Sequence, residues 1–208
     1  MKLLRPLLYS LLGAAALSLG FYYGYFLRLP ARDIPLNQTH FLSPANGTVI
    51  LIEPWEGEQL TIEKGARGAL RTWTDGVDTH GTLVSIQMTP LNVHYQRLPL
   101  TTTLVEKHYV PGNTQNAMSG TTRYENEHNI LTFETEAGVR FSVVQIAGAF
   151  ARRIEDFLTV GETYAQGQVI GLIRLGSQVS VVLPSSLTPT VSLGQSVIDG
   201  ETVLATLP

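Results

Sequence analysis

The chain has 208 residues, 14 Lys+Arg against 17 Asp+Glu, and no cysteine. That length fits one domain with a short appendage, and a 44% share of hydrophobic residues supports a packed core rather than disorder. A net charge of -3 argues against binding nucleic acid through its phosphates, and zero Cys excludes disulfides, thiolate metal sites and a cysteine nucleophile.

The first thirty residues stand apart. No charge falls between Arg5 and Arg28. As one helix, residues 6–27 would rise roughly 33 Å, enough for a hydrocarbon core about 30 Å thick. Tyr22, Tyr23 and Tyr25 suit a membrane interface, and the bulky end of the run does not resemble a small-residue cleavage site. The reading is an uncleaved transmembrane anchor over residues 1–30, followed by a domain over 31–208. It places the protein at the cell membrane with its domain at the cytoplasmic face, although the flanking charges (Lys2 and Arg5 against Arg28 and Arg32) are nearly balanced.

Beyond residue 40 the pattern is short β-branched or alternating runs broken by turn residues. Strands are expected at Thr48–Ile52, Leu83–Met88, Thr101–Val105, Ile130–Glu134, Arg140–Ile146, Val169–Arg174 and Val179–Leu183. A short helix is the best reading of Ala147–Ile154. Two glycine-turn segments echo each other, one running from Gly161 to Gly167 and one from Gly194 to Gly200. The fold class is therefore mostly β, a sandwich or barrel-sandwich in a single domain with an N-terminal transmembrane helix.

The five histidines, His40, His80, His94, His108 and His128, show no metal-ligand spacing, and no metal is expected. There is no P-loop, no Gly-rich dinucleotide fingerprint and no nucleophile elbow. Alone, Gly176-Ser177 between two strands reads as a turn.

Several segments, taken together and in order, change that reading. Gly171 to Pro184 holds an IRLGS stretch followed by a strand ending in LP. Ser43-Pro44-Ala45-Asn46-Gly47, Pro90-Leu91-Asn92-Val93-His94-Tyr95-Gln96-Arg97-Leu98-Pro99, Tyr109-Val110-Pro111-Gly112, Glu125 to Asn129, and Val144 to Gly148 followed by Ala151 to Ile154 are further motifs. Phe26 to Pro35 is a further such segment. From about residue 25 to the C-terminus the chain resembles the phosphatidylserine decarboxylases, in particular their short archaeal-type members.

The resemblance implies a proenzyme that cuts itself between Gly176 and Ser177. The serine hydroxyl attacks the preceding carbonyl and an ester forms by N-to-O acyl shift; β-elimination then frees the upstream chain as a carboxylate and leaves dehydroalanine at position 177, which water converts to a pyruvoyl group with loss of ammonia. Residues 1–176 and 177–208 then form a heterodimer of the chain's own two pieces. The covalent pyruvoyl cofactor would take phosphatidylserine as a Schiff base, release CO2 and give phosphatidylethanolamine. The resemblance assigns acid/base work to His94 and places Arg97 where longer members have a second histidine. Arg152, Arg153 and Arg174 are candidate head-group ligands, since guanidinium pairs with phosphate and carboxylate oxygens.

Asn46 stands where the family has an aspartate that charges and orients the histidine. The analogous change in a serine-protease triad costs about four orders of magnitude in rate. Asp75 or Asp78 is a spatial substitute to look for. Asn46 also sets the alternative, an uncleaved and non-catalytic membrane-anchored relative that binds lipid or a partner. The expected partners are the phospholipid membrane and phosphatidylserine, with no nucleic acid and with a homo-oligomer left open.

Overall fold

Short runs of β-formers bounded by glycine turns build strands, and strands dominate the chain. The computed structural model describes residues 4–63, 69–74, 76–112, 126–148, 153–174 and 178–208. An α-helix, α1 (Leu4–Gly20), runs into a π-helical segment (Phe21–Phe26). A stretch without regular structure leads to β1 (His40–Leu42) and β2 (Gly47–Glu56). A hairpin of β3 (Gln59–Glu63) and β4 (Ala69–Trp73) precedes β5 (His80–Gln87) and β6 (Tyr95–Arg97). Next come β7 (Thr102–Val110), β8 (His128–Glu134), β9 (Arg140–Ile146), β10 (Ile154–Asp156) and β11 (Thr163–Tyr164). The chain closes with β12 (Val169–Ile173), β13 (Gln178–Pro184), β14 (Thr188–Pro189), β15 (Ser196–Val197) and β16 (Val203–Thr206).

Eight strands form the main antiparallel sheet in the order β11-β7-β8-β9-β13-β5-β2-β15, and it curls around the core. Two small sheets, β10-β12-β6 and β1-β16-β14, contribute Ile170, Ile173, Phe41 and Leu204 to that same core. The β3–β4 hairpin covers the other face, where Ile62 and Leu70 meet Trp55, Val144 and Val182. Strands β9 and β13 are thus buried on both faces, which is why they read as continuous apolar runs. All seven strands expected from the sequence are present. The expected helix is not borne out at its far end, because Ile154 opens β10; residues 149–152 lie outside the described residues.

The glycine-turn echo is real in the backbone. Gly161, Gly167, Gly194 and Gly200 all have positive φ, between 74° and 90°. Ile34 wedges between two of them, and a Cβ on Gly167 or Gly200 would come within 2.8 Å of its side chain. The same stretch is held by charge. Arg32 (2.5 Å) and Arg97 (3.1 Å) both pair with the buried Asp199, and Arg97 also donates to the Pro30 carbonyl.

The N-terminal expectation needs correction. The apolar run does not continue as one helix to residue 27, since α1 ends at Gly20. Among the described residues no helix is long and apolar enough to cross a membrane. The reason is tertiary contact. Tyr22 accepts a hydrogen bond from Arg174, Tyr25 donates to the Leu91 carbonyl, and Phe26 is fully buried against the β domain. Two of the three tyrosines read as interface anchors therefore bond to the domain itself.

Candidate active site

His94 lies just ahead of β6 and is fully buried. Its Nδ1 is 3.0 Å from the Asn92 carbonyl oxygen. A carbonyl only accepts, so Nδ1 carries the proton and the lone pair sits on Nε2. That Nε2 is buried with no hydrogen-bond partner among the described residues. Burial holds the imidazole well below its ordinary value, at about 4; the Asn92 bond opposes this and the Arg28 charge adds to it. At neutral pH the site therefore holds a neutral ring with an available lone pair, the form that accepts a proton.

The backbone ties His94 to the end of β12, since His94 O accepts from Ile173 N at 3.1 Å. Arg174 and Gln178 flank residues 175–177, and Gly176 and Ser177 themselves lie outside the described residues. Gln178 is level with Gln87 on β5 and, one strand further, with Thr48 on β2. Asn46 lies just before that end of β2.

Asn46 does not bond to His94. Its Oδ1 accepts from Asn92 Nδ2 (2.8 Å) and from Val93 N (3.2 Å), while its Nδ2 donates to the Val197 carbonyl (3.3 Å). It fixes the turn whose Asn92 carbonyl then fixes the histidine. Asn92, named in the sequence as part of the His94 motif but given no role there, is the joint between them. Asp78 offers no substitute. It binds Ser185 N and Oγ at the opposite end of β13, roughly 20 Å or more along the strand from Gln178. Those bonds hold its carboxyl down at about 2. Asp75 lies outside the described residues.

A buried polar chain supports β6 from beneath. Gln96 donates to the His94 carbonyl (2.6 Å), Gln145 donates to Gln96 (2.8 Å), and Asn129 donates to Gln145 (3.1 Å). Gly171 makes room for it, since a Cβ there would come within 2.5 Å of Gln145 Nε2. Such amides cost free energy in a core unless paired, so the chain of bonds fixes strand position. Isolated Gln and Asn residues in a sequence carry no signal of this kind.

The arginines differ in what they are committed to. Arg174 bonds Glu155 (3.0 Å) and the Tyr22 hydroxyl (2.7 Å), and those bonds raise its already high value. Arg153 is largely exposed, with a loose 3.6 Å contact to Glu155. Arg152 lies outside the described residues. Arg97 is structural, spent on Asp199 and on the Gly167 and Pro30 carbonyls.

A mostly β domain that shields a neutral imidazole, tied through its carbonyl to the end of β12, has the parts of an enzyme that moves protons. Comparison with known proteins gives the family. Residues 20–205 match the family model described as phosphatidylserine decarboxylase. A phosphatidylserine decarboxylase proenzyme of Wolbachia sp. subsp. Brugia malayi is 39% identical over 183 residues, covering 88% of this chain and 74% of that protein. Proenzymes of the same name from Geobacter sulfurreducens (35% identity, 92% and 80% covered) and Ruegeria pomeroyi (37%, 97% and 86%) are also similar. The chain belongs to the phosphatidylserine decarboxylase family, and with it to the carboxy-lyases.

Proposed function

We propose that this chain cuts itself between Gly176 and Ser177 and then decarboxylates phosphatidylserine. The observation that carries the reading is the neutral, buried His94 with its unengaged Nε2, tied by its own carbonyl to the end of β12. A serine hydroxyl is a weak nucleophile until a base takes its proton, and this imidazole is in the form that can. A pyruvoyl group at position 177 would supply the electron-withdrawing carbonyl that accepts charge as CO2 leaves. During turnover His94 would hold or return a proton at Nε2. Of the two head-group candidates among the described residues, Arg153 is the one with a free guanidinium edge to offer a phosphate, because it is largely exposed and loosely paired while Arg174 is committed to Glu155 and Tyr22.

The topology supports survival of the cut. β13 is inserted between β9 and β5, β15 pairs with β2, and β16 lies between β1 and β14. A 177–208 piece would therefore stay locked in the fold as one partner of a heterodimer. We further propose that α1 meets a phospholipid surface. Leu8, Leu11, Leu12, Leu17 and Leu19 are each more than half exposed, and a helix that is apolar all round needs an apolar surrounding.

The test is CO2 release from phosphatidylserine in mixed micelles, with Ser177→Ala and His94→Ala alongside. The wild-type chain should form phosphatidylethanolamine. Both variants should lose at least about 100-fold in rate. No turnover in a chain shown to carry a pyruvoyl group would overturn the substrate assignment. An uncut, inactive wild-type chain would favour a non-catalytic binding protein.

A further inference from the structure

The segment after α1 touches the site at three points. The Phe26 ring centroid lies 4.0 Å from that of His94, with the rings tilted by 36°, and both side chains are fully buried. Tyr22 stacks on Phe26 at 5.4 Å, and its hydroxyl accepts from Arg174, the last described residue before 175–177. Tyr25 and Arg28 both donate to the Leu91 carbonyl, on the turn that precedes His94. One short segment thus grips the turn before the histidine, the ring itself and the arginine beyond it.

We propose that Phe26 is a positioning residue of the active site, whose ring keeps water from His94 so that the imidazole stays neutral and Nε2 stays an available base. The inference rests on the proton-accepting role proposed for His94. A phenyl face placed against an imidazole removes the solvent that would otherwise stabilise the imidazolium. A ring face also attracts a cation, but the penalty for taking the charge out of water is the larger effect. The groups around the ring give no counterweight. Arg28 on the same segment disfavours a second positive charge. Tyr22 and Tyr25 are hydrogen-bonded phenols. At the β12 and β10 ends Arg174 is matched to Glu155, and on β6 Arg97 is matched to Asp199. No carboxylate hydrogen-bonds to the ring among the described residues. Because α1 runs directly into this segment, the seating of the helix and the state of the base are mechanically linked.

The experiment is a 15N imidazole titration of His94 in the full chain, comparing wild type, Phe26→Ala and Phe26→Leu. Wild type should stay in the Nδ1–H neutral form down to about pH 4. Phe26→Ala should raise the midpoint by about one unit or more, and Phe26→Leu should restore most of it by closing the site without an aromatic ring. The acid limb of the self-cleavage rate should move in the same direction. An unchanged midpoint in folded Phe26→Ala would overturn the proposal. If Phe26→Ala does not fold, the milder Phe26→Val must still raise the midpoint, and an unmoved value there would overturn it equally. A shifted midpoint in a chain that decarboxylates nothing would uphold the role of Phe26 and reject the proposed function instead.

Discussion

The proton on His94 Nδ1 follows from its acceptor, and the ring's low basicity follows from burial. Both have a cost that stability reads out. The unfolded chain takes up this proton near pH 6.5, the folded chain only near 4. Between those values the unfolded state binds more protons, so stability is full above 6.5 and falls as pH drops toward 4. The loss from this group amounts to roughly 3 kcal/mol. Urea unfolding at pH 7 and pH 4 should therefore show a smaller drop for His94→Leu than for wild type. Asp78 does not confuse the comparison, because its contribution is lost lower, between its ordinary value and about 2.

Asn46 makes a second prediction. Its amide donates to the Val197 carbonyl while its oxygen serves Asn92 and Val93. An aspartate would set an oxygen against that carbonyl, at a cost of about 1–3 kcal/mol. Asn46→Asp should lower the urea midpoint without speeding self-cleavage, and faster cleavage would contradict the indirect role given to Asn46. The sequence singles out His94 and Asn46 because the motifs that hold them are distinctive. Asn92 stands in the same motif as His94, but its part was not legible, since it meets the ring through a backbone carbonyl, which no side-chain pattern records. Phe26 was hidden for another reason: in an apolar run, an aromatic that caps a histidine looks the same as one that meets lipid.

The strands divide by how much of their specification is local. β5, β8, β9 and β13 carry long β-branched or alternating runs, and they were readable from the sequence. β1, β6 and β10 have three residues each and take their register from partners distant in sequence, so no periodicity announces them. The N-terminal run shows the limit of hydropathy. Its length fits a span, but Tyr22, Tyr25 and Phe26 near its end are claimed by contacts with Arg174, Leu91 and His94. Within β12, Gly171 marks a close approach of β10 and the Gln145 side chain. An alanine there would press on Gln145 Nε2 and the Glu155 carbonyl, each within 2.6 Å. Gly171→Ala should cost about 1–3 kcal/mol through forced movement of β10 and the amide chain, measured as a lowered Tm. An unchanged Tm would mean that the two sheets are not packed so tightly there.

Across the molecule, the proposed cut leaves the central strand of the main sheet on the smaller piece. The buried clamp spans the same division, because Arg32 and Arg97 lie before residue 176 and Asp199 after it. Burial raises the Asp199 carboxyl while the two guanidiniums pull it down. Removing the carboxylate strands two nearly buried cations, a change that typically costs about 3–5 kcal/mol. Asp199→Ala should therefore loosen residues 28–35 and weaken the association of the two pieces, seen as release of the smaller one at lower urea.

The most direct measurement is the intact mass of the purified chain under denaturing conditions. Two chains should appear, the smaller beginning at position 177 with a pyruvoyl group in place of serine, and Ser177→Ala should give a single unbroken chain. One unbroken chain from the wild type, folded and with His94 neutral, would contradict self-processing.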